Sequence, residues 1–128
     1  MPDPTIHKAE FFEDSGGSLM ARVIGPDATV ISTSKITGIT YSVYDTAQAS
    51  TSIVSASTLT VSSVVFDTLQ TDARWDRDAT GYNFRYDVQS SELPNGKKKY
   101  RIEFLFDPVT GQNFHVAWEI TTVDLYRS

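Results

Sequence analysis

The chain has 128 residues, 40% of them hydrophobic, which is the length of one domain and enough to bury roughly 65–70% of the unfolded surface without staples. It contains no cysteine, so a disulfide scaffold, a thiolate metal site and a cysteine nucleophile are excluded together. Its 11 Lys and Arg against 16 Asp and Glu leave a net charge of −5. That balance does not favour attraction to nucleic acid, and no run approaches the ~18 apolar residues of a membrane span.

In chain order, residues 1–17 are weakly patterned and read as an N-terminal arm ahead of a domain over residues 18–128. Met1 Pro2 Asp3 Pro4 offers neither a basic nor an apolar leader segment, so no export signal is expected in this stretch. Phe11 and Phe12 stand together among Glu10, Glu13, Asp14, Gly16 and Gly17. Consecutive residues cannot share one face of a strand, so at least one ring is expected at the surface, and the pair is a candidate contact to a neighbouring subunit. Leu19, Ala21 and Val23 alternate and predict a strand over 18–24, stopped by Gly25 Pro26 Asp27, with a short piece over 28–32.

Ile39, Tyr41 and Val43 alternate in a β-branched and aromatic segment and predict a second strand, with Tyr44 on its outer face. Residues 46–63 are rich in Ser, Thr and Ala around Ile53, Val54, Leu59 and Val61, and read as a long surface excursion followed by a short strand. Val61, Val65 and Leu69 then recur at i, i+4 and i+8 behind Ser62, which predicts one short helix over 62–70 with Ser62 as its N-cap. Period two resumes at Tyr82, Phe84, Tyr86 and Val88, with Asn83, Arg85, Asp87 and Gln89 on the opposite face. Leu93 Pro94 Asn95 Gly96 is a turn, and Tyr100, Ile102, Phe104, Phe106 with Phe114, Val116, Trp118, Ile120 form a hairpin around Asp107 to Gly111. The class is all-β: an antiparallel sandwich of two packed sheets with at most one short helix.

The chemistry-bearing residues are few. Asp76, Asp78, Thr80, Gly81 and Asp87 fall at positions 1, 3, 5, 6 and 12 of a calcium-loop pattern. The same residues also suit a hydrogen-bonded turn entering a strand, which is preferred because Tyr82 to Val88 alternates and no helices flank it. His115 is expected across the final hairpin from Glu103, either as an acid–base pair or as a polar cross-strand pair, the latter preferred. His7 has no partner visible in the sequence, and no Gly-x-Ser-x-Gly elbow occurs among the serines. Lys97 Lys98 Lys99 reads as a solvated hairpin entrance. Trp118 is expected in the core against Tyr100, whereas Trp75, surrounded by Asp72, Arg74, Asp76, Arg77 and Asp78, either caps one end of the sandwich or joins a binding surface. No catalytic residue, cofactor or metal ligand is assigned.

The segment Glu92 Leu93 Pro94 Asn95 Gly96, then Tyr100 Arg101 Ile102 Glu103 Phe104 and the hairpin to Ile120, resembles the end of immunoglobulin-like modules from bacteria and phages. Such modules carry a Leu-Pro-x-Gly turn and then a Tyr that opens the next strand; here Lys97 to Lys99 are inserted between the two. Ile39 to Asp45 and Gly81 to Phe84 are similar to small proteins encoded among phage structural genes. The resemblance implies an immunoglobulin-like sandwich and a non-enzymatic structural protein of a phage or phage-like particle: a capsid decoration, neck or tail component located in the virion. Its implied partners are virion proteins and further copies of itself, with no nucleic acid and no membrane, and with Phe11, Phe12 and Trp75 as the expected contact residues. The alternative is an adhesion or carbohydrate-binding module of the same fold.

Overall fold

The computed structural model describes residues 6–12, 17–25, 29–46, 52–71, 80–89 and 98–123. They form β1 (Ile6–Phe12), β2 (Gly17–Ala21), β3 (Ile36–Asp45), β4 (Ser52–Leu59), a four-residue helix α1 (Val61–Val64), β5 (Val65–Gln70), β6 (Tyr82–Val88), β7 (Lys99–Pro108) and β8 (Phe114–Val123). The strands make two packed sheets, one of five strands in the order β1-β8-β7-β3-β4 and one of three in the order β2-β6-β5. Pairing is antiparallel throughout except between β1 and β8. The fold is therefore all-β and sandwich-like.

Alternation explains the large sheet directly. The β7–β8 register sets Ile102 opposite Trp118, Phe104 opposite Val116 and Phe106 opposite Phe114. Every apolar member of both runs thus faces the same way. On β3, Ile39, Tyr41 and Val43 pair with Phe106, Phe104 and Ile102 and extend that inner face. Leu19, Ala21, Phe84, Tyr86 and Val88 supply the opposing face from β2 and β6. Phe84, Tyr100, Ile102, Phe104, Phe106 and Ile120 have no exposed surface, and each side chain of that size contributes ~1.5–3 kcal/mol on burial.

The N-terminal segment departs from the arm expected over residues 1–17. Ile6–Phe12 is an edge strand, with His7 beside Trp118, Ala9 beside Ile120 and Phe11 beside Thr122. Its inward set of His7, Ala9 and Phe11 has one polar and one small member, so the pattern is faint in the sequence although the strand is regular. The His7 ring stacks on Trp118 at 4.8 Å, and Phe11 packs against the core and over Gly17, where a Cβ would lie 2.5 Å from its ring. Residues 6–12 and Gly17 therefore belong to the sandwich.

Two other boundaries differ. The helix expected over 62–70 is the single turn Val61–Val64, capped by Thr60 without a side-chain bond, after which β5 continues in extended form. β-Branched Val64 and Val65 are both buried, and sheet pairing of Val65 with Phe84 outweighs a helical spacing carried by three residues. Of the excursion and short strand expected over 46–63, residues 52–59 are the eight-residue edge strand β4. Its register against β3 shifts twice, between Tyr41 and Val43 and again between Val43 and Tyr44. At the first shift Ala56 takes a φ of 47°, held by its N–H donating to Ser42 Oγ at 2.9 Å. An alanine in that left-handed region is strained by about 1 kcal/mol. Ala56→Gly should accordingly raise unfolding stability by about 0.5–1 kcal/mol, read as a higher urea midpoint at unchanged slope.

Candidate binding surface at one end of the sandwich

β2 and β7 run toward the same end of the molecule, and the connections that leave them, residues 22–35 and 109–113, meet there. The first connection is shaped by a buried amide. Asn83 follows the alternation of β6 onto the face opposite Phe84, yet it is 1% exposed, with the backbone of Val23 and Ile31 lying against it. Its Oδ1 accepts the Val23 N–H at 2.7 Å, and its Nδ2 donates to the Val23 carbonyl at 3.1 Å and the Ile31 carbonyl at 3.3 Å. A side chain thus stands where a ladder peptide would. This is why β2 ends at Ala21 instead of running to Ile24.

Beyond the clamp, Ile24 and Val30 form an isolated bridge, Gly25 N–H donates to the Thr29 carbonyl at 2.9 Å, and Ile31 N–H donates to the Val23 carbonyl at 3.2 Å. Ile31 is buried beneath. The piece expected over 28–32 is this bridge. Thr33 then reaches β5: its N–H and its Oγ1 both donate to Asp67 Oδ1, at 2.7 and 2.8 Å. Those two donors, the backbone one first, hold the Asp67 carboxyl below its usual value. The second connection is joined to the first where Val109 N–H donates to the Lys35 carbonyl at 2.9 Å, and it reverses at Gly111, whose φ of 102° suits glycine.

Between the two connections lies a groove of about 250 Å³ lined by Gly25, Ile31, Ser34, Lys35, Ile36, Pro108, Val109 and Thr110. The Lys35 ammonium donates to Thr29 Oγ1 at 2.7 Å. Within the lining Val109 is 60% exposed, and Ile24 and Val30, which adjoin Gly25 and Ile31 in the chain, are 49% and 37% exposed. The lining is aliphatic and hydroxylic with no aromatic ring, which suits contact with another apolar surface better than stacking on a sugar. The signal for these positions was present in the sequence: Ile24 follows Val23 directly and Val109 follows the strand-ending Pro108, so each falls out of phase with its strand.

The residues singled out from sequence fall in different places. Phe12 is 54% exposed, at the far end of β1 beside Val123, whereas Phe11 is engaged within the fold. Trp75, Asp76 and Asp78 lie outside the described residues. Asp87 does not gather with Gly81 into a calcium loop, because β6 separates them by six residues, about 20 Å of extended chain. It accepts from Ser18 Oγ at 2.7 Å and lies 3.7 Å from Arg85 Nε. Gly81 has a φ of 102°, its Cα pressed toward the Gln70 carbonyl, and its own carbonyl accepts from Arg22 Nη1 at 3.1 Å.

The expected Glu103–His115 pair is not formed. His115 faces Leu105 and Glu103 faces Ala117, since the hairpin closes two residues later than the short Asp107–Gly111 turn implied, with Phe106 opposite Phe114. Glu103 instead lies 3.7 Å from Arg101. Trp118 is buried as expected, with the rings of His7, Phe84 and Phe104 beside it. Lys98 Nζ donates to Asp45 Oδ2 at 3.0 Å, and its backbone N–H and carbonyl are held by buried Thr122. Among the described residues no three His, Cys, Asp or Glu side chains converge as a metal site, and no helix is long and apolar enough to cross a membrane. Comparison with protein-family models, with curated proteins and with solved structures returned no match.

Two consequences can be measured. Asn83→Ala leaves the Val23 N–H without its acceptor, so it should destabilise by about 1–3 kcal/mol, with faster amide exchange at Val23 and Ile31 than elsewhere in the core. An unchanged midpoint would contradict the clamp. For Asp67, a folded pKa below the unfolded value of about 3.9 means that the unfolded state binds more protons in that range. Its contribution is present above the unfolded value and is lost as pH falls through the folded one. The Thr33 amide proton should therefore titrate below the ordinary Asp range, and Asp67→Asn should abolish that titration.

Proposed function

We propose that this chain is an immunoglobulin-like module acting as a non-enzymatic structural component of a phage or phage-like particle, through contacts its loop end makes with a neighbouring subunit. An immunoglobulin-like sandwich divides its strands between a sheet containing C, F and G and a sheet containing B, E and D. Taking β1 to β8 as A, B, C, C′, D, E, F and G, the strand orders here are A-G-F-C-C′ and B-E-D. The departure is that the first strand joins G instead of B. Tyr100 stands near the head of β7 with no exposed surface, which supports the reading.

The observation that carries the reading is the exposed Val109 in the lining of the groove between the B–C and F–G connections, with exposed Ile24 and Val30 next in the chain to the lining residues Gly25 and Ile31. Exposed apolar side chains grouped about a concavity are what a protein contact uses. The test is co-sedimentation with assembled particles after expression beside the genes that neighbour its own. The intact chain is expected with the particles, and the triple variant Ile24→Ser, Val30→Ser, Val109→Ser, folded by circular dichroism, is expected to be lost from them. An intact chain left entirely in the soluble fraction would remove the particle reading, and saturable binding on a glycan array would favour the adhesion or carbohydrate-binding alternative.

A further inference from the structure

The two edges of the five-stranded sheet are unlike. β4 carries two register shifts, which twist its outer side away from further pairing. β1 carries none: it is seven residues long, has no proline, and pairs with β8 in unbroken register. Among the described residues no strand lies on its outer side. A regular edge with neither bulge nor proline is a template for another strand, and its side chains, Lys8 among them, decide which.

On β1 the outer-face positions are Ile6, Lys8, Glu10 and Phe12, all exposed, the two apolar ones at 44% and 54%. Read about Ala9, this set is self-complementary. An antiparallel copy in which residue 9 meets residue 9 places Lys8 against Glu10, Glu10 against Lys8, and Ile6 and Phe12 against each other at both ends. On the inner face His7 then meets Phe11. Sliding by two residues in either direction sets Lys8 against Lys8 or Glu10 against Glu10, and sliding by one sets inner positions against outer ones. One register therefore satisfies both charge and hydrophobicity, and a two-fold axis normal to the sheet keeps outer face with outer face.

We propose that two copies of this chain pair antiparallel along β1, about a two-fold axis through Ala9, joining their five-stranded sheets into one of ten strands. This interface lies on an edge strand and does not use the loop end, so its test is independent of the particle reading. Sedimentation of the purified intact chain should give twice the chain mass. Lys8→Glu makes every facing charge acidic and Glu10→Lys makes every one basic, so each variant should sediment as a monomer while an equimolar mixture recovers the dimer mass. Both positions are exposed, and an unchanged melting midpoint checks that each variant is folded.

Ala9→Cys supplies a readout of register in an otherwise intact chain. The sequence has no other cysteine, and facing residues of an antiparallel pair have Cα atoms about 4.5–5.5 Å apart, within disulfide range. Oxidation should give a covalent dimer on a non-reducing gel. An intact chain that stays monomeric at every concentration, charge variants that dimerise as well as the intact chain, or a dimer that Ala9→Cys does not cross-link would each overturn the proposal.

Discussion

Phe84 is the contact on which the two layers depend. It stands on the central strand of the small sheet, and its ring lies 5.0 Å from Phe104, 5.5 Å from Phe106 and 5.8 Å from Trp118, all on the large sheet. Edge-to-face and stacked pairs of this kind contribute ~0.5–1.5 kcal/mol each beyond burial and fix relative orientation as burial alone does not. Once Phe84 points inward, Asn83 must point the other way, and its amide must then find partners or water. It finds Val23 and Ile31, which holds these two residues together and sets Ile31 in the lining of the groove. The loop end is thus a consequence of the core residue next to Asn83 in the chain.

What could be read from the sequence follows the strength of the alternation. The hairpin of β7 and β8 and strands β3 and β6 are dense in β-branched and aromatic residues on one face, so their existence and their buried set were legible. β1 was not, because a strand lying against a filled core needs only a small residue such as Ala9 and two rings, and His7 conceals the period. β4 was not, because an edge strand with two bulges has no single period to detect. The Val61, Val65, Leu69 spacing misled for the opposite reason: three residues fitted a helix by chance, while Val64 and Val65 were both required by the core.

The site was legible only in part. Turn chemistry at Gly25 Pro26 and at Gly111 marked where the connections lie, but not that Asn83 would draw one of them over the sheet. The Asp76 to Asp87 pattern shows the limit of spacing as a guide, since a ligand set needs a loop to gather it and β6 extends between Gly81 and Asp87. The Glu103–His115 expectation failed on the length of one reversal, because a hairpin that closes two residues later moves each residue's partner by two. Site constellations depend on register, and register is set by loop closure and packing more than by local pattern.

Strand edges carry the remaining information. Positions His7, Ala9 and Phe11 are accounted for by Trp118, Gly17 and the core around them, so their identities follow from the fold. Ile6, Lys8, Glu10 and Phe12 are not: solvent alone would accept any polar residue there, and two exposed apolar side chains beside an open ladder raise the risk of unspecific pairing. β4 answers the same hazard with bulges, even at the cost of a strained Ala56. One edge is deformed and the other left straight, with Lys8 and Glu10 between two apolar ends, and the proposed pairing rests on that asymmetry.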